Sequence, residues 1–199
     1  MKKRIVLLAL STRDGGICVA GKDITTSKWI RPVTPHGAVS RAQIHGLTLG
    51  DVVEVEILQH KPALHQTENY LYLQNPWAKV SRLPKADLKK YLESPPSIWG
   101  PPPGSHPNSL TPAEITTGVN NSLCFISVDK IDVETVMDNN YPKYYGLFQY
   151  NGFDYRFPLK DVAFREHPVR SILNPMICCS LGAEFTGTNR CYKLIAGII

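Results

Sequence analysis

Apolar residues in this chain gather in short runs. Residues 4–10 (RIVLLAL) are apolar almost throughout, the pattern of a strand covered on both faces. Residues 17–24 (ICVAGKDI) predict a return strand, with Asp14-Gly15-Gly16 supplying the positive φ of a tight hairpin. Thr25-Thr26-Ser27 predicts a second turn, and residues 28–33 a third strand punctuated by Pro32 and Pro35. Residues 36–50 read as loop. Asp51–His60 (DVVEVEILQH) then alternates: Val53, Val55 and Ile57 to one side, Glu54 and Glu56 to the other, as in a half-buried antiparallel strand.

Residues 83–93 (LPKADLKKYLE) predict a helix. Pro84 suits its first position, and Leu83, Leu88, Tyr91 and Leu92 form its apolar face. Ser94-Pro95-Pro96 ends it. Residues 94–112 hold seven prolines and read either as a linker between halves or as a long ordered loop pinned by Trp99. Residues 123 to about 136 predict one strong strand. A hairpin follows, with Asn151-Gly152 at its turn between aromatic-rich runs. Residues 176–181 and 192–198 predict two closing strands. The last is so apolar that it would make a poor edge, so it is expected to pair on both sides.

The pattern therefore predicts an all-β protein with one or two short helices, whose two halves are alike in kind. Halves of about 100 and 85 residues suit two small, partly open barrels better than one large sandwich. The expected division is 1–110, with the helix and the proline-rich loop, and 111–199.

Composition narrows the partners more than the fold. The 199 residues are 43% hydrophobic and 20% charged, which excludes wholesale disorder. A net charge of +5 is compatible with a polyanionic partner without requiring one. The five cysteines are odd in number and lack C-x-x-C spacing, so they read as reduced core residues and not as a zinc site or disulfide framework. The apolar stretch in residues 1–10 is too short for a signal peptide, and no run is long enough to span a bilayer. A cytoplasmic protein with no membrane partner is the expectation.

Five segments together, GGICVAG, WIRPV, HQTEN, SLG and YKLIAGII, in that order, resemble the dual OB-containing domain, a family of bacterial and archaeal proteins. The resemblance spans nearly the whole chain. It implies two OB-like barrels packed together and a nucleic-acid or nucleotide role, in a defence context against mobile elements. It carries over no catalytic residues.

OB folds hold single strands on one barrel face, with cations for phosphates and aromatic rings for stacking. Arg13, Lys28, Trp29 and Arg31 supply those types on the first hairpin and third strand, with Lys22 beside them. Trp29 and Arg31, two apart on a strand, share a face. The competing reading makes Trp29 a core residue and the cations solvated. Glu68 and Asn69, upstream of Trp77, are positioned either to read base edges or to clamp a turn. In the second half, Phe153, Tyr155 and Phe157 form a stripe read as core, with Arg156 pointing opposite as part of a basic rim. The six histidines are scattered without metal spacing, and no nucleophile elbow or P-loop is present. No cofactor, metal or catalytic constellation is expected. The expected function is binding of a single-stranded nucleic acid or nucleotide. The alternative is a scaffold that docks a larger effector protein through Ile98, Trp99 and the prolines after them.

Overall fold

The computed structural model describes residues 1–13, 16–100, 108–116, 119 and 121–199. Asp14 and Gly15 of the expected first turn, and residues 101–107 of the proline-rich stretch, lie outside them. The first half builds β1 (Lys2–Arg13), β2 (Gly16–Asp23), β3 (Trp29–Val33), β4 (Asp51–His60), β5 (Asn69–Tyr72) and β6 (Ala78–Arg82). It ends in α1 (Lys85–Leu88), which runs on as a 3-10 turn over Lys89–Tyr91. The second half adds β7 (Ser109–Leu110), α2 (Pro112–Thr116), β8 (Leu123–Ser127), β9 (Lys130–Asp138), β10 (Tyr141–Tyr150) and β11 (Phe153–Pro158). After these come α3 (Val162–Glu166), β12 (Ser171–Leu173), β13 (Met176–Phe185) and β14 (Arg190–Ile198).

In the first half the strands run β1-β2-β3-β5-β4, and β4 returns to β1, where residues 52–56 face residues 2–6. The β3–β5 pair is parallel, with Arg31 opposite Asn69. This is a closed five-stranded barrel, with β6 added outside on β4. A bulge between Leu7 and Ala9 changes the phase of β1. Ile5, Leu7 and Leu10 therefore point into the barrel core, while Val6, Leu8 and Ala9 point outward.

The second half follows the same path as a curled, less fully closed barrel, with β7 and β12 added at its edges. Strand β9 pairs with β10, β10 with β11, and β13 with β14, all antiparallel. Strand β11 meets β14 through a parallel bridge between Leu159 and Ile195. Strand β8 closes back on β13. The single strand expected over 123–136 is thus two. At Val128-Asp129 the chain turns from one sheet partner to the other, held by the Val128 amide on the Pro175 carbonyl and the Asn174 amide on the Asp129 carbonyl. The Asn151-Gly152 turn forms as expected, both residues at positive φ (49° and 80°). The helix is shorter than its apolar spacing suggested, because Pro84 is still extended (ψ 154°) and Leu92 is extended again (ψ 146°).

The two barrels share an apolar seam. Val6, Leu8 and Ala20 of the first, with Leu88 and Tyr91 beyond it, pack with Leu123, Phe125, Cys178 and Ala196 of the second. Contact is close: a Cβ on Gly197 would overlap the Leu8 carbonyl oxygen. The five cysteines are free, and burial pushes the Cys178 and Cys179 thiols well up, so they act as small apolar side chains. Among the described residues no helix is long and apolar enough to cross a membrane.

Candidate nucleic-acid interface

Strand alternation places Trp29 and Arg31 on one face of β3, but that face meets the second barrel. Arg31, Glu68, Asn69 and Trp77 are all buried, so they do not line an open groove. The Arg31 guanidinium lies 3.1 Å from Glu68 and donates to the hydroxyls of Ser122 (2.8 Å) and Ser180 (3.3 Å) across the seam. The Ser122 hydroxyl in turn donates to Glu68. A guanidinium this far from water needs a carboxylate and several acceptors, and the seam supplies them. The Asn69 side chain donates to Gln66 (3.2 Å), and His65 Nε2 lies 2.9 Å from the Gly182 carbonyl oxygen. The Glu68 carboxylate also accepts the Ser122 amide at 3.4 Å, so its hydrogen-bond partners lie across the seam and not at a turn of its own. Burial holds the His65 imidazole below its usual range. Trp77 packs edge-on to Tyr72, ring centroids 5.4 Å apart, inside the first barrel.

Arg13 stands apart from Trp29. Lys22 faces Val6 on one side and Trp29 on the other, and Arg13 is seven residues further along β1, roughly 20 Å away at strand rise. Its guanidinium lies beside Gly37 (φ +101°). Arg156 belongs to the outward face of the second barrel, 3.7 Å from the Tyr145 ring centroid and bonded to Glu134 at 2.7 Å. Tyr155 and Phe157, expected as core, are buried. Ile98 and Trp99 turn inward: Ile98 is buried with its amide on the Tyr155 hydroxyl, and the Trp99 indole donates to the Asn121 carbonyl. Trp99 is half-buried, and the prolines after it, Pro101 to Pro103, lie outside the described residues.

Trp29 is brought together with Lys22, as the sequence reading expected, and with Glu93, which that reading did not join to it. The Trp29 indole, half-buried, donates to Glu93 at 3.1 Å. Lys22 lies over the indole (4.9 Å to its centroid), 3.1 Å from Glu93, and donates to the Tyr91 carbonyl at 2.8 Å. The Glu93 carboxylate also accepts the Phe125 amide at 2.9 Å, which fixes the helix end to the second barrel. Leu88 and Tyr91 anchor the helical segment in the seam. The helical period then forces Lys85, Lys89 and Lys90 outward. Lys90 sits 5.1 Å from the Tyr91 ring centroid.

The result is a set of four exposed lysines, Lys28 beside the half-exposed indole in sequence and Lys85, Lys89 and Lys90 on the helical segment that the Trp29–Glu93 bond ties to it. Among the described residues none of the four has a carboxylate within ion-pair distance. Lys22 and Glu93 cancel, and Asp87 is the one acid on the helical segment. The outward face of β9–β11 has the opposite balance. There Lys130 and Arg156 stand among Asp129, Asp132, Glu134 and Asp154. A polyanion is favoured at the first surface and repelled at the second. The Lys89-Lys90 pair was visible in the sequence. Its nearness to Trp29 was not, because 64 residues separate Trp29 from Glu93.

No curated protein matches this chain. A solved structure of a murine DNA-binding protein bound with double-stranded DNA is similar at 8% identity over all of this chain and 96% of that one, with a TM-score of 0.35. The tetrameric p202 HIN2 crystal structure is similar at 9% identity over 98% and 91%, with a TM-score of 0.32. The family model of the dual OB-containing domain matches residues 3–198, and the chain belongs to that family.

Proposed function

We propose that this protein is a nucleic-acid-binding module that holds a single strand along the lysine rim beside Trp29. The rim of four lysines without carboxylate partners carries this reading. Each phosphate neutralised there releases counterions, so binding falls as salt rises. The exposed part of the indole gives one base a surface to lie against. The ligand therefore sits at the outer margin of the first barrel and not in the centre of its β1–β3 face, which the second barrel covers.

The working division belongs to the same proposal: the first unit contributes the rim, the second holds the helix end through the Phe125 amide on the Glu93 carboxylate, and β7, paired with β14, moves the boundary from 110 to before Ser109. A place in prokaryotic defence is suggested by the family resemblance alone.

The test is fluorescence anisotropy with end-labelled single-stranded oligonucleotides at low salt. Reversing Lys28, Lys89 and Lys90 to Glu is expected to weaken binding by at least about tenfold, whereas Lys130→Glu on the second barrel leaves it within about twofold. The opposite ranking would move the interface to the second barrel and overturn this assignment.

A further inference from the structure

Residues 94–99 cross the second barrel without joining its sheets. Pro95 and Pro96 have no amide hydrogen to donate. Among the described residues, no main-chain hydrogen bond ties 94–99 to a strand. Side chains of the barrel hold the segment instead. The Tyr150 hydroxyl donates to the Pro95 carbonyl at 2.9 Å, and the Asn151 side chain donates to the Pro95 and Pro96 carbonyls at 3.0 and 3.3 Å. The Ile98 amide donates to the Tyr155 hydroxyl at 3.1 Å, and Lys193 donates to the Trp99 carbonyl at 3.1 Å. One side chain of the segment enters the barrel: Ile98, 1% exposed, packs among Ile126, Phe148, Phe157 and Ile195. Proline-rich segments dock in aromatic-lined grooves at low entropic cost, because they are already extended.

The docked segment is strained. Trp99 has φ +52°, in the left-handed region that bulky residues avoid. Lys193 is 1% exposed, and among the described residues its ammonium donates to one acceptor, the Trp99 carbonyl. Burial pushes the Lys193 pKa down to about 8, although Glu114 and Cys179 oppose the shift. Lifting the segment relieves both: Trp99 returns to ordinary backbone and the ammonium returns to water. It also breaks no strand ladder. The chain is moored independently on either side, by Glu93 on the Phe125 amide before the segment and by β7 on β14 after it. What lifting leaves behind is the hole where Ile98 sat, which another apolar side chain can fill.

We propose that residues 94–99 are the built-in occupant of a peptide groove on the second barrel, and that an extended proline-rich segment of a partner protein takes their place, with an apolar side chain in the Ile98 pocket. The tethered segment competes at a high effective concentration, so the groove stays closed until a partner segment outcompetes it. Such a partner displaces Ile98 and Trp99 instead of resting on them. The inference uses none of the four lysines, so it stands apart from nucleic-acid binding.

The experiment is fluorescence anisotropy of a labelled synthetic peptide with the sequence of residues 94–100, SPPSIWG, titrated with the full chain. Ile98→Ala weakens the built-in occupant and is expected to bind the peptide at least about tenfold more tightly than wild type does. The same peptide with serine in place of its isoleucine is expected to lose that gain. Asn151→Gly removes the side chain that holds the Pro95 and Pro96 carbonyls and suits the positive φ of its turn (49°). Combined with Ile98→Ala, it is expected to weaken peptide binding several-fold. Hydrogen exchange of the wild type gives a test that needs no variant: the Ile98 amide should exchange at least about tenfold faster than the amides of β13. Peptide binding no tighter to a folded Ile98→Ala protein, equal binding of the serine peptide, self-association of Ile98→Ala without peptide, or an Ile98 amide as slow as those of β13 would each overturn the proposal.

Discussion

The two barrels follow one strand order and present opposite surfaces. On the outer side of strands one to three, the first carries Val6, Leu8 and Ala20 sealed beneath the second barrel, with the paired charges of Arg31 and Glu68 beside them. The second carries Leu147, Gln149 and Arg156 on the equivalent strands, open to solvent. A binding face therefore cannot be transferred from fold to chain by position alone. What decides is which side chains remain exposed and which of their charges are already satisfied. By that measure Arg31 is structural, Arg156 is held by Glu134, and Lys28 is free of carboxylates among the described residues.

Removing one partner of the buried pair should separate the two barrels most sharply. Arg31→Ala or Glu68→Ala leaves an uncompensated charge in the seam, and chemical denaturation should register a loss of about 3–5 kcal/mol. Arg156→Ala removes a half-exposed ion pair on the second barrel and should cost no more than about 1 kcal/mol. Converting both partners, as Arg31→Met with Glu68→Leu, should recover much of the first loss; failure to do so would mean the pair does more than satisfy itself.

Truncating apolar side chains should show the same asymmetry at a smaller scale. Leu8→Ala should cost about 2–5 kcal/mol because it opens a cavity in the seam. Leu147→Ala on the open face should stay within about 0.5 kcal/mol. Equal costs would contradict the assignment of one face as covered and the other as free.

The smallest expected effect is on pH. Burial lowers the folded-state pKa of His65, while the unfolded chain titrates near the usual 6.5. Below that value the unfolded state binds more protons, so stability falls as pH drops from about 6.5 towards the folded pKa. Thermal melts should give a lower Tm at pH 5.5 than at pH 7.5. His65→Gln should flatten that difference; an unchanged slope would place the titration elsewhere.

Much of the fold could be read from alternation. Val53, Val55 and Ile57 point into the core of the first barrel, and the Asn151-Gly152 turn sits where its chemistry put it. Side-chain parity correctly grouped Trp29 with Arg31. Parity states which residues share a face, and not what that face will meet, so the burial of Arg31 against Ser122 and Ser180 was out of reach. The division of residues 123–136 into β8 and β9 was hidden for a similar reason: both pieces are strand-like, and only the change of partner at Val128-Asp129 separates them. The lysine rim needed a contact between β3 and a helix end 64 residues later, which no local pattern encodes.

The salt dependence of single-strand binding tests the central claim most directly. For a strand on the rim, log K against log salt concentration should fall with a slope near −0.7 for each lysine that contacts a phosphate. The Lys28→Glu, Lys89→Glu, Lys90→Glu protein should then lose roughly two units of that slope relative to wild type. Identical slopes for the two proteins, at any affinity, would show that nucleic acid does not lie on this rim.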